Sequence, residues 1–340
     1  MRPRIALTVG AFYQSLRQGS VKRNMNETVL PAIRNYRPGD EAAWLRLLQA
    51  APDFDYLFFN QPASLDALRM VIEHPHMDAA NNLFYAHSGN DFVGYAEVWC
   101  AIGHIRAVGR VLVHPRWRRR GLGRQLMGCI EHRAAAAGSE YLDVSIAAPQ
   151  VVGRHFLEHH GYHVVHYGWH MALQAQIAAP PPRWPQGYDS RRFVPGQDEG
   201  IVVQLENACF HDHWEYRPVE LGEIDGFVRS ASFRPEGIIA ALSANKVVGE
   251  CWTRISSQQL AAESLEQRGD IVTLCVLPQH RGRGLGRALL LAGVRWLRQQ
   301  GAACIYLGVD GANDRAKHLY ESVGFVTQRT DVWYRQELNA

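Results

Sequence analysis

The sequence predicts two α/β units in tandem, joined by a proline-rich segment. Three observations carry that prediction. The chain has 340 residues, more than one hydrophobic core ordinarily organises. The segment RRRGLGRQLM (118–127) returns as RGRGLGRALL (281–290). Around each copy, short β-type runs alternate with helical periodicity, the signature of an α/β chain.

The repeat keeps its register over a long stretch. Pro115 and Pro278 are 163 residues apart, and so are Gly121 and Gly284, Gly123 and Gly286, Gly138 and Gly301, Glu158 and Glu321, and Gly161 and Gly324. Landmarks at one fixed offset mean two copies of one domain. Upstream, RPGD (37–40) faces VPGQD (194–198) and VGYAEV (93–98) faces VGECWT (248–253), at offsets of 157 and 155, so the front-half loops differ in length. AAPPPRWPQG (178–187) reads as a stiff, extended linker. The expected organisation is a disordered extension over 1–28, a first domain over 29–173, a linker over 174–188 and a second domain over 189–340.

Each copy opens with a strand and then a helix, EAAWLRLLQ (41–49) or EGIVVQLENA (199–208). Two strands follow, LFYAHSG with DFVGYAEVWC (83–100), or GIIAALSA with KVVGECWTRI (237–255); the turns GND (89–91) and ANK (244–246) make them hairpins. A further strand, AVGRVLVHP (107–115) or DIVTLCVLP (270–278), leads through the glycine segment into a helix. In the second copy that helix carries Leu289, Leu290, Val294, Leu297 and Trp296 near a 3.6 period and stops at Gly301. A strand (304–310), a short helix (314–323) closed by Gly324, and a last strand from Phe325 complete the unit.

Composition bounds the function. A hydrophobic fraction of 47% with no run near the ~18 apolar residues of a span argues against a membrane protein. Residues 1–26 hold five bases and no acid, leaving 31 bases against 33 acids, so the body has no nucleic-acid footprint. The apolar stretch Ile5–Tyr13 is broken by Thr8 and Gly10, which favours an extension over a targeting peptide. Cys100, Cys129, Cys209, Cys251, Cys275 and Cys304 form no CxxC pair and point to a reducing cytoplasm.

The glycine segment follows a strand that ends at Pro278 and enters a helix. Helix N-termini offer unpaired amides and the positive dipole end, glycines admit a phosphate to the backbone, and Arg281, Arg283 and Arg287 add charge. It is neither a P-loop, lacking GK[ST], nor a dinucleotide fingerprint, lacking the third glycine and the ribose acid. Taken alone, the glycines are a moderate signal for an anion site, with a basic flexible turn as the alternative.

The full word resembles the GNAT superfamily of N-acetyltransferases. It runs Val276-Leu277-Pro278 to Gly286, then Asn313 through Ala316, Leu319-Tyr320 and Gly324-Phe325. The resemblance implies two tandem GNAT domains, each an α/β (α+β) unit with a mixed, splayed, mostly antiparallel sheet flanked by helices. It implies acetyl-CoA as donor, its diphosphate on Arg281, Gly282, Arg283, Gly284, Leu285, Gly286 and Arg287, its pantetheine beside Cys275, Val276 and Leu277, and Asn313 as a further contact. Tyr320 resembles the family's tyrosine acid, with a core aromatic as the alternative; Asp270 has the place of a strand acid able to take the ammonium proton, with a turn residue as the alternative. Leu157 and Ala107 stand at those two offsets in the first copy, and Gln150 and Gly153 replace Asn313 and Ala316. The expectation is a catalytic second copy and a non-catalytic first. The first keeps a possible second coenzyme site at Leu112, Val113, His114, Arg118, Arg119, Arg120, Gly121, Leu122, Gly123 and Arg124.

The implied activity is acetyl transfer to the primary amine of a small molecule by direct attack on the thioester. The tandem arrangement is similar to members whose acceptor is a cysteinyl amine on a glucosaminyl-inositol precursor; a non-catalytic coenzyme-binding regulator and acetylation of a protein amine are the other readings. His213 and Trp214, in CFHDHWEYRP (209–218), are candidates for the acceptor pocket, against a capped helix end with a packed Trp. The matching APDFDYLFFNQP (51–62) is more apolar and reads as a closed groove. His155, His159, His160, His163, His166 and His170 crowd the first copy, but without HExxH, cysteine or acid they describe an exposed helix and strand and no metal site. Arg118–Arg120 lack the aromatic platform of a nucleic-acid surface. The expected state is a cytoplasmic monomer or homodimer.

Overall fold

The computed structural model describes residues 31–51, 63–100, 105–214, 216–229, 233–261 and 264–338. The extension expected over 1–28 and the apolar segment at 52–62 lie outside the described residues. The chain forms two compact units, one through Leu142 with Glu337–Ala340, the other Asp143–Gln336.

In the first unit, β1 (Ala32–Asn35), β2 (Leu83–Ser88), β3 (Asp91–Cys100) and β4 (Arg106–Val113) pair antiparallel in sequence order. The helices are α1 (Glu41–Gln49), α2 (Leu65–Ile72), the single turn α3 (Ala79–Asn82) and α4 (Leu122–Ala136). α1 begins where Asp40 turns back on Arg34 in a bidentate ion pair, both oxygens at 2.7 Å. Its apolar stripe, Trp44, Leu47 and Leu48, packs with Leu68 and Val71 of α2 and with Tyr85, Tyr95 and Leu112 of the sheet. The rings interlock: Trp44 lies 4.9 Å from Tyr95 and 5.7 Å from Tyr85 between centroids.

The second unit holds β5 (Tyr141–Ala147, from its third residue), α5 (Val151–His159), β6 (His163–Gln174), β7 (Tyr188–Arg192), α6 (Glu199–Phe210), α7 (Leu221–Arg229), β8 (Ile238–Ser243), β9 (Lys246–Ala261), β10 (Ser264–Val276), α8 (Leu285–Gln299), β11 (Ala302–Asp310), α9 (Asp314–Glu321) and β12 (Val326–Glu337). Its strands lie in the order β5-β12-β6-β11-β10-β9-β8-β7. Leu289, Leu290, Val294, Trp296 and Leu297, read from the sequence as the buried stripe of α8, are all buried. The structural repeat keeps the sequence offset: α4 and α8 are both 15 residues, β6 and β12 both 12, each pair 163 residues apart.

The compact units do not follow the repeat. β6 ends the first copy, yet it is held between β11 and β12 of the second, with His170 opposite both Gly308 and Arg329. The proline-rich segment is neither helix nor strand, and its Ala179 and Trp184 pack against the second copy's core. The β9–β10 hairpin also runs further than the sequence reading, which began the strand at residue 270; pairing reaches Ala261 and Ser264. That extension is polar and lacks the apolar alternation that marks a half-buried strand.

Candidate active site

β10 runs parallel to β11 only from Gln267↔Ala302 to Ile271↔Leu307. Beyond that the two strands part: Gly308–Asp310 pair with β6, while Thr273–Val276 pair only with β9. The edge of β10 toward β11 therefore lacks a ladder over the stretch that carries Cys275 and Val276, and Leu277 follows at once. Parted strands with unpaired edge groups form a slot that an extended amide-bearing ligand can enter.

At the end of that slot the chain turns through a 3₁₀ segment, Pro278–His280, into Arg281–Gly284. Gly282 and Gly284 adopt left-handed backbone at φ 79° and 84°, which other residues rarely take. Gly284 is the N-cap of α8 and no side chain caps the helix, so the amides of its first turn, at Leu285, Gly286 and Arg287, remain for an anion. The arginines divide the work. Arg281 donates from Nε to the Val276 carbonyl at 2.9 Å and from Nη2 to that of Cys209 at 3.0 Å, so it braces strand, turn and α6. Arg287 reaches the end of α9, donating to the Ser322 carbonyl at 3.4 Å. Arg283 is exposed and makes one long contact, 3.4 Å to the Gln279 carbonyl.

Asn313 is the N-cap of α9, its Oδ1 accepting from the Ala316 amide at 3.0 Å. About two turns on, Tyr320 is buried at 7% exposure within the core of the second unit. Burial, with a smaller contribution from Cys251, pushes its phenol well above the ordinary tyrosine range. A phenol so placed holds its proton at neutral pH, the state an acid needs.

Asp270 is also buried, and both of its oxygens are engaged. Oδ1 accepts from Arg268 Nε at 3.0 Å and Nη2 at 2.8 Å; Oδ2 lies 3.5 Å from Arg254 Nη2. Arg268 in turn covers the Tyr306 ring at 4.0 Å. This is a dry ion-pair cluster in which the carboxylate balances two guanidiniums. The carboxylate read from the sequence as a strand acid or a turn residue is thus engaged by Arg268 and Arg254.

The acceptor candidates separate. Trp214 is taken up in packing: His166 of β6 stacks on it at 4.4 Å, Trp333 of β12 meets it edge-on at 5.3 Å, and Arg335 lies 6.0 Å from its centroid. It anchors the segment after α6. His213 stands against Phe210, 4.9 Å between centroids. Of the histidines read as exposed, His155, His159 and His163 are so; His166 and His170 are half-buried, 3.0 Å from Asp310 and 2.8 Å from Asp331. Their strand lies inside the sheet, which its sequence does not reveal.

The first copy keeps the turn but has other residues at the Tyr320 and Asp270 positions. Gly121 caps α4 at φ 84°, again with no side-chain cap, and Arg118 donates to the Val113 carbonyl at 3.1 Å as Arg281 does to Val276. Arg119 takes the left-handed position of Gly282 at φ 63°, and Arg120 stacks on Trp117 at 5.0 Å. Leu112 is buried, while His114 accepts from the Arg116 amide at 3.2 Å. Ala107 and Leu157, at the Asp270 and Tyr320 positions, are both buried.

A large mixed sheet with flanking helices, a strand pair that parts, and a glycine-led helix N-terminus define a GNAT-type acyltransferase. Residues 201–325 match a family model described as "Acetyltransferase (GNAT) family", and residues 79–164 match another, "Acetyltransferase (GNAT) domain". The chain is similar to the mycothiol acetyltransferase of Thermobispora bispora, 31% identical over 91% of this chain and 100% of that one, and to that of Streptomyces coelicolor, 29% identical over 91% and 95%. It belongs to the GNAT acetyltransferase family and is an N-acetyltransferase. In fold it resembles a GCN5-related N-acetyltransferase from Sphaerobacter thermophilus (TM-score 0.71, 24% identity, 91% and 96% covered). It also resembles a tandem GNAT protein from the clavulanic acid biosynthesis pathway (TM-score 0.66, 18% identity, 91% and 99% covered). Among the described residues no helix is long and apolar enough to cross a membrane.

Proposed function

We propose that the second copy moves an acetyl group from acetyl-CoA to the primary amine of a small molecule. The parting of β10 from β11 beside an uncapped helix N-terminus carries this reading. The slot and the turn suit the two parts of the donor: backbone at Cys275, Val276 and Leu277 for pantetheine amides, and the turn amides over Arg281–Arg287, with Arg283 nearest to free, for the diphosphate. The donor supplies an activated thioester; the chain supplies orientation and protons. Asn313 holds α9 in place, and α9 carries Tyr320, whose buried phenol gives its proton to the departing sulfur. Asp270 holds Arg254 and Arg268 and so fixes the start of the slot.

The first copy, with Leu157 in the tyrosine position, has no such proton and does not catalyse. It keeps an anion-binding turn at Arg118–Arg124. His213 is the acceptor-side contact, on a segment that Trp214 secures. The cysteinyl amine of a mycothiol precursor is the second reading for the acceptor, supported by 31% identity to a mycothiol acetyltransferase over 91% of this chain. Six free cysteines fit a reducing cytoplasm, where we place the protein.

The test is release of free thiol from acetyl-CoA across a panel of small amines that includes cysteinyl glycosides. Turnover with at least one amine is expected. Absence of turnover with every amine would overturn the reading, and preference for a protein amine would replace the acceptor class.

A further inference from the structure

We propose that two carboxyl groups, Glu206 on α6 and Glu250 on β9, form the proton acceptor that neutralises the incoming ammonium in the second copy. This rests on the acetyl-transfer reading above.

Their placement comes from a bulge. Ile271 pairs with Thr253 and Thr273 with Trp252, so Val272 is the extra residue and Asp270, Thr273 and Cys275 share one face of β10. That face meets α6, where Cys275 packs with Leu205 and Cys209. Glu250 lies opposite Cys275 across the ladder and therefore points the same way. Glu206, one turn before Cys209, is hydrogen-bonded to both Glu250 and Thr273. The pair thus stands against the stretch of β10 whose free edge is assigned to pantetheine.

The two carboxyls divide one proton. Glu250 is almost fully buried, its Oε1 without a hydrogen-bond partner. Burial and the neighbouring Glu206 carboxylate push its proton affinity well up, so it stays protonated and donates to Glu206. Burial raises Glu206 as well, against the opposing effect of its hydrogen bonds to Thr273 and Glu250. Glu223 of α7, Asp198 before α6, and the Cys209 and Cys275 thiols are the other titratable groups acting on the pair. Asp198 and Glu223 are held by Arg191 and Arg217, and the hydrogen bond to Cys275, with Arg281 behind it, lowers Cys209. Asp270 is committed to guanidiniums; each carboxyl of this pair has the other.

The first copy shows that the fold does not need these acids. Arg34–Asp40 and Arg191–Asp198 are equivalent bidentate pairs at the starts of α1 and α6, which puts Leu48 at the Glu206 position and Ala51 at that of Cys209. The hairpin match puts Tyr95 at Glu250, and the 163-residue offset puts Leu112 at Cys275. Leu48, Ala51, Tyr95 and Leu112 belong to one buried cluster with Trp44. At those two positions the first copy has hydrocarbon and a phenol, Tyr95, which donates to the buried Glu97 beside it, so a facing pair of carboxyls there carries a desolvation cost that the fold does not require. They occur in the copy that has Tyr320.

In the step itself an ammonium N–H proton passes to the Glu206 carboxylate, which becomes a carboxylic acid while nitrogen keeps the electron pair. Nitrogen then bonds the thioester carbon, the C–S bond breaks, and sulfur takes the phenol proton of Tyr320. The second proton that nitrogen loses on becoming an amide replaces the one Tyr320 gave.

The experiment compares Glu206→Gln, Glu250→Gln and the double variant E206L/E250Y, which copies the first repeat's Leu48 and Tyr95. The pH profile of kcat/KM, acetyl-CoA affinity and melting temperature are read for each. Glu206→Gln should lower kcat/KM at neutral pH about 100-fold and abolish the acidic limb, with acetyl-CoA affinity unchanged. Glu250→Gln should lose about tenfold and remove an infrared carboxylic-acid band that wild type shows at neutral pH, a readout that needs no turnover. The double variant should stay folded and be as slow as Glu206→Gln. An active wild type with an unaltered Glu206→Gln profile, or no protonated carboxyl band, would overturn the pair alone. A wild type inactive with every amine would overturn this and the acetyl-transfer reading together.

Discussion

The two copies share a frame and differ in what fills it. Both begin their first helix with an arginine gripping the aspartate before it, both enter their long helix through a left-handed glycine, and both lay an arginine on the strand before that turn. Between the first helix and the sheet, however, one copy places Trp44, Leu48, Tyr95 and Leu112, all buried, and the other places buried Glu250 and Cys275 with half-buried Glu206 and Thr273. In the first copy rings fill that space, and the carboxylate buried beside them, Glu97, already accepts from the Tyr95 hydroxyl. The difference teaches that the glycine turn belongs to the frame both copies share, whereas the side chains between the first helix and the sheet are where they diverge.

The largest test of that contrast is Asp270→Ala, which leaves two buried guanidiniums without their counter-charge, whereas Ala107 is the natural residue in the first copy. Loss of a partner in a buried ion pair costs about 3–5 kcal/mol, read as a fall in the denaturant midpoint. If Asp270→Ala were as stable as wild type, the cluster would not be structural. Next, Tyr320→Phe should lower kcat by roughly 100-fold or more with acetyl-CoA affinity retained, and Leu157→Tyr should leave kcat unchanged. A Tyr320→Phe enzyme at full speed would remove Tyr320 as the acid that sets the second copy apart.

Smaller effects sharpen the distinction between frame and chemistry. Gly284→Ala and Gly121→Ala each force an L-residue into left-handed backbone, at about 1–2 kcal/mol by thermal denaturation. Only Gly284→Ala should raise the KM for acetyl-CoA; an equal rise from Gly121→Ala would mean that the first turn serves turnover too. The smallest effect is a pH dependence common to both. The Arg191 and Arg34 guanidiniums hold Asp198 and Asp40 below the usual carboxylate range. A depressed carboxylate contributes stability above its unfolded value and loses it as pH falls through its folded value. Stability should therefore decline on acidification below the ordinary aspartate range, and Asp198→Asn should flatten that decline; an unchanged acid slope would deny the pair its role.

Much of this was legible in the chain. The constant offset announced two copies, and α1 and the start of α6 fall where the apolar periodicity placed them, at Glu41 and Glu199. The contrast of Tyr320 with Leu157 needed only alignment. Other features were not legible, for specific reasons. Asp270 reads as a lone acid because Arg254 sits on the adjacent strand and reaches it only through the register. Glu206 and Glu250 come from a helix and a strand, with no spacing to link them, and the bulge that faces Thr273 toward them leaves no mark in the sequence. The stacking of Trp214 on His166 was not legible because His166 belongs to the other copy.

By itself the sequence determined the local structure: which segments form helices and strands, where left-handed glycine opens a helix to an anion, and which copy holds a phenol. These depend on periodicity and backbone freedom, which act among near neighbours. Only the tertiary structure decided that β6 is shared between β11 and β12, that Asp270 is locked by two arginines, and that two glutamates meet over one proton. Such outcomes depend on strand order, register and burial, through which residues far apart in the chain come to share a dry interior where a charge must find a partner or give up its proton.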